Sequence, residues 1–460
     1  MIMKPIKQTL FISMMALTLS ACAGLPQTHI SALEGNPHLS SAADTADRYH
    51  IDGEWWQIYG DSKLNALVNQ ALANNIDLKK AAVHVNKALY QANILGANLV
   101  PSFNGSAGAS DSRNLKSGDS QNSFSSRLGV SYELDLWQRL SKTASAQIWE
   151  YQATAEDLAK TRLTLLNNIT DVYFQIAYLN EAIDLTEQSI ARYEEINRIS
   201  ASKYRLGKVN ANVPVQAQQA LLAAKNNLLT LQNSRNTAQQ TLRNLLNLKP
   251  NEAPAADPTG YRLAAAKGVD LNVPVSTLAN RPDLRAAEYR LQSSLQSLEA
   301  QKLSWYPSIT VGASLSSSSD KARTLFDVPF LGGSVQLNLP FLDWKTLKWK
   351  DKAAEADFDS ARLNFEQTLT SALNEVHTYY ADYLNAETAL GNLRQRYVLD
   401  QKNSRYYQVR YQYGKNELKD WLEALNTEYG TAQNLLNQRY QTLKAENRIY
   451  QVMAGRYSRK

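Results

Sequence analysis

The chain has 460 residues, of which 44% are hydrophobic and 20% are charged, and its formal net charge is +6. The positive charge is spread along the chain without a basic block, so the composition does not point to nucleic acid as a partner. The length allows two or three domains, and a content of 19 glycines and 13 prolines favours long helices.

The N-terminal residues 1–21 have the pattern of a secretory signal peptide. Lys4 and Lys7 precede the short apolar run "TLFISMMALTLSA", which ends at Cys22. The segment Leu19–Cys22 resembles the lipobox of bacterial lipoproteins, and Cys22 is the only cysteine in the chain. We therefore expect a covalent lipid on Cys22. In bacterial lipoproteins an Asp directly after this cysteine retains the protein at the inner membrane, so Ala23 at that position implies sorting to the outer membrane. The alternative is an ordinary signal peptide whose cleavage site contains a cysteine.

The rest of the chain contains an internal duplication. The segment that begins "NNIDLKKAAVHV" at Asn74 is repeated as "NRPDLRAAEYRL" from Asn280, and the turn "KYRLGK" (203–208) returns as "RYQYGK" (410–415). Each copy has the order helix, two strands, very long helix, glycine turn, helix. This pattern predicts a first repeat over 61–248, a Pro- and Ala-rich linker over 249–275, and a second repeat over 276–456.

Four segments alternate apolar and polar residues with a period of two, which predicts strands at about 101–111, 124–137, 307–317 and 333–342. Glu133 and Asp135 then lie on the same polar face. No apolar run after the leader is long enough to span a bilayer as a helix. Four strands are too few to close a barrel. The sheet either lies in water against a helix or joins strands of other copies.

Two stretches predict helices of unusual length. Residues 138–205 and 345–413 contain no proline, and at about 1.5 Å per residue each would extend about 100 Å. Within the first stretch, apolar residues step by four and three, which is the pattern of a coiled-coil seam: Leu165, Ile169, Val172, Ile176, Leu179 and Ile183. A repeat sustained over this length indicates long packed helices instead of a globular core.

Three motifs together carry a resemblance to a known family. "EWWQIYGDSKLNALVNQAL" (54–72), "YELDLWQR" (132–139) and the paired turns "YRLGK" and "YQYGK" resemble the TolC-type outer-membrane efflux proteins, with the lipidated OprM/CusC-like (NodT-type) branch as the best fit. One departure is Gln138, because the commoner form of the second motif has glycine there.

The resemblance implies a mainly α fold with a small β part, built as a homotrimer. Three copies of four strands would form a shared twelve-stranded transmembrane β-barrel, and the long helices would form a trimeric α-barrel through the periplasm. The lipidated segment 22–60 and the linker 249–275 would lie in an equatorial region. The implied location is the outer membrane of a Gram-negative bacterium, with the lipid anchor in that membrane.

The implied function is a passive exit duct of a tripartite efflux system. The partners would be outer-membrane lipid, a periplasmic adaptor (membrane fusion protein) and an inner-membrane pump of the RND type. Two alternatives remain open: a duct for type I secretion of peptides or proteins, and a non-conducting, lipid-anchored coiled-coil scaffold. An enzyme is disfavoured, because the five histidines are scattered without metal-ligand spacing and no nucleophile motif is present. We expect no metal and no cofactor other than the lipid.

Candidate gate residues follow the second glycine turn. Asp420 and Glu423 are three residues apart on one helix face, and they fall where the family carries an acidic pair that lines the periplasmic constriction. The alternative is that they complement the helix dipole in water. Just before the turn, Arg410, Tyr411 and Tyr413 would hold the tip closed through hydrogen bonds, or would simply be exposed surface.

Two further groups of residues complete the predicted sites. Lys208 and Lys415, which follow Gly207 and Gly414 at the helix turns, are candidate contacts for the adaptor. In the strand region, the carboxylates of Glu133 and Asp135 are expected to face the water-filled lumen of the channel.

Overall fold

The computed structural model describes residues 51–270, 275–324 and 330–457. The predicted signal peptide, the lipobox and Cys22 lie outside these residues. The α-helices within the described ranges are α1 (Ser62–Asn74), α2 (Ile76–Gly96), α3 (Arg139–Arg205), α4 (Asn212–Leu245), α5 (Pro282–Leu303), α6 (Trp344–Gln412) and α7 (Leu418–Val452). None of these described helices is both long and apolar enough to cross a membrane.

The described strands form two antiparallel sheets. Their strands are β1 (Ile51–Asp52), β2 (Ser102–Arg113), β3 (Ser120–Leu134), β4 (Ser308–Ser319), β5 (Phe330–Asn338) and β6 (Arg456–Tyr457). The larger sheet has the order β2-β3-β4-β5, and the smaller pairs β1 with β6. The four predicted strands are present, but β3 ends at Leu134 and β5 at Asn338, both earlier than predicted. In each case the chain turns there toward the start of a long helix.

The register of the larger sheet gathers the apolar residues of different strands on one face. Leu128 pairs with Leu315, which in turn pairs with Leu331. The neighbouring polar positions also coincide, because Glu133 pairs with Thr310 and Thr310 with Gln336. Since side chains alternate between the two faces of a strand, the sheet has one continuous apolar face and one polar face.

The two long helices have the predicted lengths, with 67 residues in α3 and 69 in α6. The predicted seam of α3 is buried along its whole length, from Leu165 to Ile183. The two helices nevertheless differ in burial: 22 residues of α3 are buried, but only five residues of α6 are. The first long helix is therefore in the core of the single chain, whereas most of the second is at its surface.

The "EWWQIYGDSKLNALVNQAL" motif explains how the N-terminal segment joins this core. Trp55, Leu64 and Leu67 are fully buried in the cluster built around α3. The carboxylate of Asp61 accepts the amide hydrogen of Lys63 at 2.9 Å and so caps the start of α1. Trp55 and Trp56, which are both buried, and the capped helix α1 therefore serve to hold the fold together.

Candidate functional site

The "YELDLWQR" motif forms the corner at which β3 passes into α3. Glu133 is the next-to-last residue of β3, and one of its carboxylate oxygens accepts a hydrogen bond from the Arg139 guanidinium at 2.6 Å. Asp135 lies beyond the strand, and its carboxylate accepts the amide hydrogens of Leu140 and Ser141, each at 2.8 Å. The prediction that both carboxylates line a strand is therefore wrong for Asp135, which caps the N-terminus of α3.

The backbone conformation at this corner explains why the commoner form of the "YELDLWQR" motif has glycine at the position of Gln138. Gln138, which takes that position here, has φ of 63°, in the left-handed region that glycine adopts most readily. Beside it, the Trp137 indole donates a hydrogen bond to the carbonyl of Pro307 at 2.8 Å and stacks on Tyr306 with ring centroids 4.9 Å apart. The corner of the first repeat is thereby fastened to the start of β4 in the second.

The helix turns at the opposite end of the long helices are built in the same way in both repeats. Gly207 and Gly414 have φ of 66° and 68°. The amide of the following lysine donates to a carbonyl five residues earlier, with Lys208 bonded to Lys203 at 2.9 Å and Lys415 to Arg410 at 2.8 Å. This is the glycine-terminated helix end known as the Schellman motif. It leaves both lysine side chains exposed.

A hydrogen-bonded chain links the predicted gate residues Arg410 and Asp420. The Arg410 guanidinium donates to the side-chain oxygen of Asn416 at 2.5 Å, and the amide of Asn416 donates to the Asp420 carboxylate at 3.0 Å. Asp420 also accepts the backbone N–H of Glu417 at 3.3 Å, as one half of a capping box at the start of α7. Asp420 is therefore half-buried and bonded within the chain.

The other predicted gate residues are in different surroundings. Glu423 is exposed, and its carboxylate lies 3.7 Å from the Lys419 ammonium. Tyr411 packs against Trp421 with ring centroids 5.5 Å apart, and the Lys203 ammonium lies 4.2 Å from its ring centre. Tyr413 is 76% exposed. The structure thus joins Arg410 to Asp420, places Tyr411 in the packed tip, and leaves Glu423 and Tyr413 at the surface.

Tyr411 and Trp421 belong to an apolar cluster that holds the two helical hairpins together near their turns. Its buried members come from three helices: Tyr193, Ile196, Ala217, Leu221, Leu418, Trp421, Leu422 and Leu425. Trp421 has no distinctive spacing relative to the acidic pair, so the sequence did not identify it. The signal that could have found it is the helical spacing of apolar residues after the turn, because Leu418, Trp421, Leu422 and Leu425 recur at spacings of three and four.

A buried polar network in the middle of the chain was also missed. Glu446 and Asn447, adjacent on α7, are both fully buried. Asn447 accepts a hydrogen bond from the Trp55 indole at 2.9 Å and donates to the Asp171 carboxylate at 3.0 Å. Because the network connects α7, α3 and the segment that follows the predicted lipid anchor, it fixes that segment to the helical core.

The carboxyl group of Glu446 ties the linker to the same core. It accepts the backbone N–H of Lys267 at 2.9 Å and hydrogen bonds with the hydroxyls of Tyr450 at 3.0 Å and Tyr59 at 3.2 Å. Burial raises the pKa of Glu446 above its usual range, and the hydrogen bonds from Tyr450, Lys267 and Tyr59 only partly oppose the rise. In the described part of the chain, no group of three or more His, Cys, Asp or Glu residues is arranged to hold a metal ion.

Comparisons with known proteins agree with this architecture. A family model described as outer membrane efflux protein matches residues 67–248 and 273–455. The chain belongs to the outer membrane efflux protein family, whose members are efflux channels and not enzymes. This confirms the family and the function that the three motifs predicted.

Three similar proteins illustrate the match. An uncharacterized protein of Haemophilus influenzae is 45% identical over 96% of this chain and 97% of its own length. Toxin and drug export protein A of Aggregatibacter actinomycetemcomitans is 42% identical over 98% of this chain and 99% of its own length. A solved structure of CusC, a cation efflux system protein of Escherichia coli, aligns with a TM-score of 0.80 at 22% identity, covering 88% of this chain and 96% of that chain. The CusC-like fold is therefore confirmed.

Proposed function

We propose that three copies of this chain, each anchored through a lipid on Cys22, form the outer-membrane exit duct of a tripartite efflux system. A periplasmic adaptor and an inner-membrane pump of the RND type would deliver the substrate. The observation that carries this proposal is that, among the residues that the structure describes, the two edge strands of the larger sheet and apolar stripes on α4 and α6 are exposed without a partner. Neighbouring copies of the same chain would cover both the edge strands and the exposed helix faces.

The sheet edges support a ring of copies. β2 and β5 are the two edges of the larger sheet, and every residue of both strands is exposed in the single chain. In a bilayer each unpaired backbone N–H or C=O group costs several kcal/mol. Pairing β5 of one copy with β2 of the next removes these edges, and three copies give the twelve strands needed for closure.

The helices support the same arrangement. Val215, Leu222 and Leu229 follow one another at seven-residue intervals on α4, and each is at least half exposed. Leu399 and Tyr406, also seven apart, are exposed on α6. Because an apolar residue at every seventh position is one line of a coiled-coil seam, these stripes fit side-by-side packing of α4 and α6 from neighbouring copies.

The tip residues support ion selection and adaptor contact at the periplasmic end. The carboxylate of Glu423 is exposed and makes only a weak surface ion pair with Lys419 at 3.7 Å, whereas that of Asp420 is half-buried and accepts hydrogen bonds from Asn416 and the Glu417 amide. In a three-fold ring we therefore expect Glu423 to contribute more to cation selectivity than Asp420. The exposed side chains of Lys208 and Lys415, at adjacent turns, are the proposed adaptor contacts.

The decisive experiment combines oligomer mass with conductance. The mature, lipidated chain should have three times the mass of one copy in detergent light scattering and should form cation-selective channels in planar bilayers. Leu222→Glu with Leu229→Glu should dissociate the oligomer, whereas Asn227→Glu, an exposed polar position on another side of α4, should not. Glu423→Gln should shift the reversal potential more than Asp420→Asn does. A stable, non-conducting monomer would overturn the proposal.

A second candidate is an exit duct for type I secretion of a peptide or protein. It is favoured by the 42% identical relative whose name includes toxin export. A type I duct would serve a pump that secretes a protein in one step from the cytoplasm. Deleting the gene and comparing proteins in the culture medium with drug and dye accumulation separates the two: loss of one secreted protein, without increased dye retention, would favour secretion.

A further inference from the structure

The first turns of α6 present an unusual combination of aromatic and basic side chains. The sequence from Leu339 to Lys352 reads "LPFLDWKTLKWKDK". Trp344 is 53% exposed and Trp349 is 69% exposed. The Lys345 ammonium lies 5.8 Å from the Trp344 ring centre, and the Lys348 ammonium lies 5.6 Å from that of Trp349. Each tryptophan therefore has a lysine close to its ring at the protein surface.

These side chains occupy one side of the helix. With about 100° per residue, Leu347, which is buried, defines the inward direction. Measured from Leu347 in one direction, the other side chains then lie between about 60° and about 200°, a sector of about 140°, in the order Trp344, Lys348, Lys352, Lys345 and Trp349. Lys350 lies about 60° from Leu347 in the other direction, outside that sector. The helix thus carries a continuous Trp–Lys face, defined by Trp344, Lys345, Lys348, Trp349 and Lys352.

The equivalent corner of the first repeat lacks such a face because its groups are already bonded. Arg139 pairs with Glu133 at 2.6 Å, and Lys142 pairs with Glu299 at 2.6 Å. At the second corner Lys352 pairs with Glu355 at 2.6 Å, but neither Lys345 nor Lys348 forms an ion pair within the described residues. The second corner therefore has two exposed positive charges that no carboxylate of the described chain neutralises.

If the larger sheet spans the outer membrane, as the proposed function requires, the length of β5 gives the depth of the Trp–Lys face in the bilayer. The nine residues of β5, at about 3.4 Å each and tilted by about 40°, span about 23 Å, which is close to the apolar band of an outer-membrane barrel. Residues 339–343, which include a short 3-10 helix over Pro340–Asp343, join β5 to α6, the helix that the proposed function places on the periplasmic side. Residues 344–349 then extend over about 7.5 Å, which matches the thickness of one headgroup layer.

We propose that the Trp–Lys face binds anionic phospholipids of the periplasmic leaflet, with the lysine ammonium groups on the lipid phosphates. Tryptophan rings favour the boundary between acyl chains and headgroups, which is where the proposed insertion would place Trp344 and Trp349. A zwitterionic headgroup brings its own cation and leaves the charges of Lys345 and Lys348 uncompensated, whereas an anionic one neutralises them. Each lysine near a membrane surface contributes about 1 kcal/mol, or about a five-fold preference.

The test uses the full-length chain in vesicles of phosphatidylethanolamine and phosphatidylglycerol, with brominated acyl chains on only one of the two lipids. Bromine quenches nearby tryptophans, and Trp344→Phe with Trp349→Phe gives the background from the other six of the eight tryptophans. Brominated phosphatidylglycerol should quench Trp344 and Trp349 several-fold more, per mole, than brominated phosphatidylethanolamine. Lys345→Gln with Lys348→Gln should abolish this preference. Lys350→Gln, a matched loss of charge on the same helix, should preserve it.

Three results would overturn the inference. The first is equal quenching by the two lipids in the unmodified chain. The second is an equal loss of preference in Lys350→Gln, and the third is the absence of quenching by either lipid, which would mean that a second copy covers the face. Raising the salt concentration must also reduce the preference of the unmodified chain, since exposed charges are screened. This requirement tests the inference even if the double variant does not insert.

The proposed channel is tested separately in the same vesicles. A chain that conducts ions but shows no preference for phosphatidylglycerol would overturn the lipid site and leave the channel intact. A chain that neither inserts nor conducts would overturn both proposals.

Discussion

Replacing Gln138 with glycine should stabilise this protein. Gln138 joins β3 to α3 in a left-handed conformation, with φ of 63° and ψ of 20°. Its side chain is exposed and has no hydrogen-bond partner in the part of the chain that the structure describes. Its backbone carbonyl accepts the amide hydrogen of Lys142 at 2.9 Å, a contact that glycine would keep. The substitution therefore changes the backbone energy of the corner and little else.

The expected gain follows from two opposing terms. A residue with a Cβ atom in the left-handed region costs about 1–2 kcal/mol. Glycine loses more conformational freedom on folding, at a cost of about 0.5–1 kcal/mol. The difference stabilises each copy by about 0.5–1 kcal/mol. In a trimer the three corners together would contribute about 1.5–3 kcal/mol.

The assay is thermal unfolding in detergent, followed by helical circular dichroism at a fixed heating rate. Gln147→Gly is the matched control, because Gln147 lies inside α3 in a helical conformation, where glycine costs about 1 kcal/mol. The unfolding temperature should rise for Gln138→Gly and fall for Gln147→Gly. If both substitutions lowered it, the left-handed backbone at residue 138 would not be strained, and the argument from its φ angle would be wrong.

Three other predictions concern separate parts of the chain. Since the pKa of Glu446 is raised in the folded protein, stability should fall as pH rises from about 4.5 through the folded pKa; Glu446→Gln should remove that part of the pH dependence of the unfolding temperature. Asp135→Ala removes the cap of α3 and should cost about 0.5–2 kcal/mol, measured in the same way against Asp111→Ala on the exposed strand β2. Cys22→Ser should abolish palmitate labelling, and undiminished labelling would refute lipidation at that residue.

The sequence predicted those features of the fold that repeat with a fixed period. The six seam residues of α3 between Leu165 and Ile183 are buried as their four-and-three spacing indicated, because the pattern recurs over many turns of a helix 67 residues long. The strands were found for the same reason, from alternation over about ten residues. Their ends were less accurate, since neither Leu134 nor Asn338 differs in residue type from what a longer strand would contain.

The sites were harder to predict because their contacts join residues far apart in the sequence. Asp135 has the spacing of a strand residue, and only the bond of its carboxylate to the Leu140 amide shows that it is a helix cap. Asp420 was identified as acidic and near the turn, but its cap with Glu417 and its bond to Asn416 were not expected. Asn447 meets Trp55 across 392 residues, and no local pattern marks such a pair.

Duplication explains the shared backbone of the two repeats but not their different surfaces. Gly207 and Gly414 end α3 and α6 in the same left-handed conformation, and Asn247 and Ala454, also 207 residues apart, do so after α4 and α7 with φ of 54°. Ala454 keeps that conformation without glycine or asparagine, so the backbone has been retained where the residue type has not.

The long helices of the two repeats differ in how many of their residues are buried. One long helix has 22 buried residues and the other only five, so among the described residues α3 lies in the core of the chain and most of α6 is exposed. If the two repeats buried their helices equally, two identical halves would satisfy each other within one chain, and nothing would require further copies. Because they do not, the surface of α6 remains open to further copies, as in the proposed ring, and Lys345 and Lys348 lie in the first turns of that exposed helix.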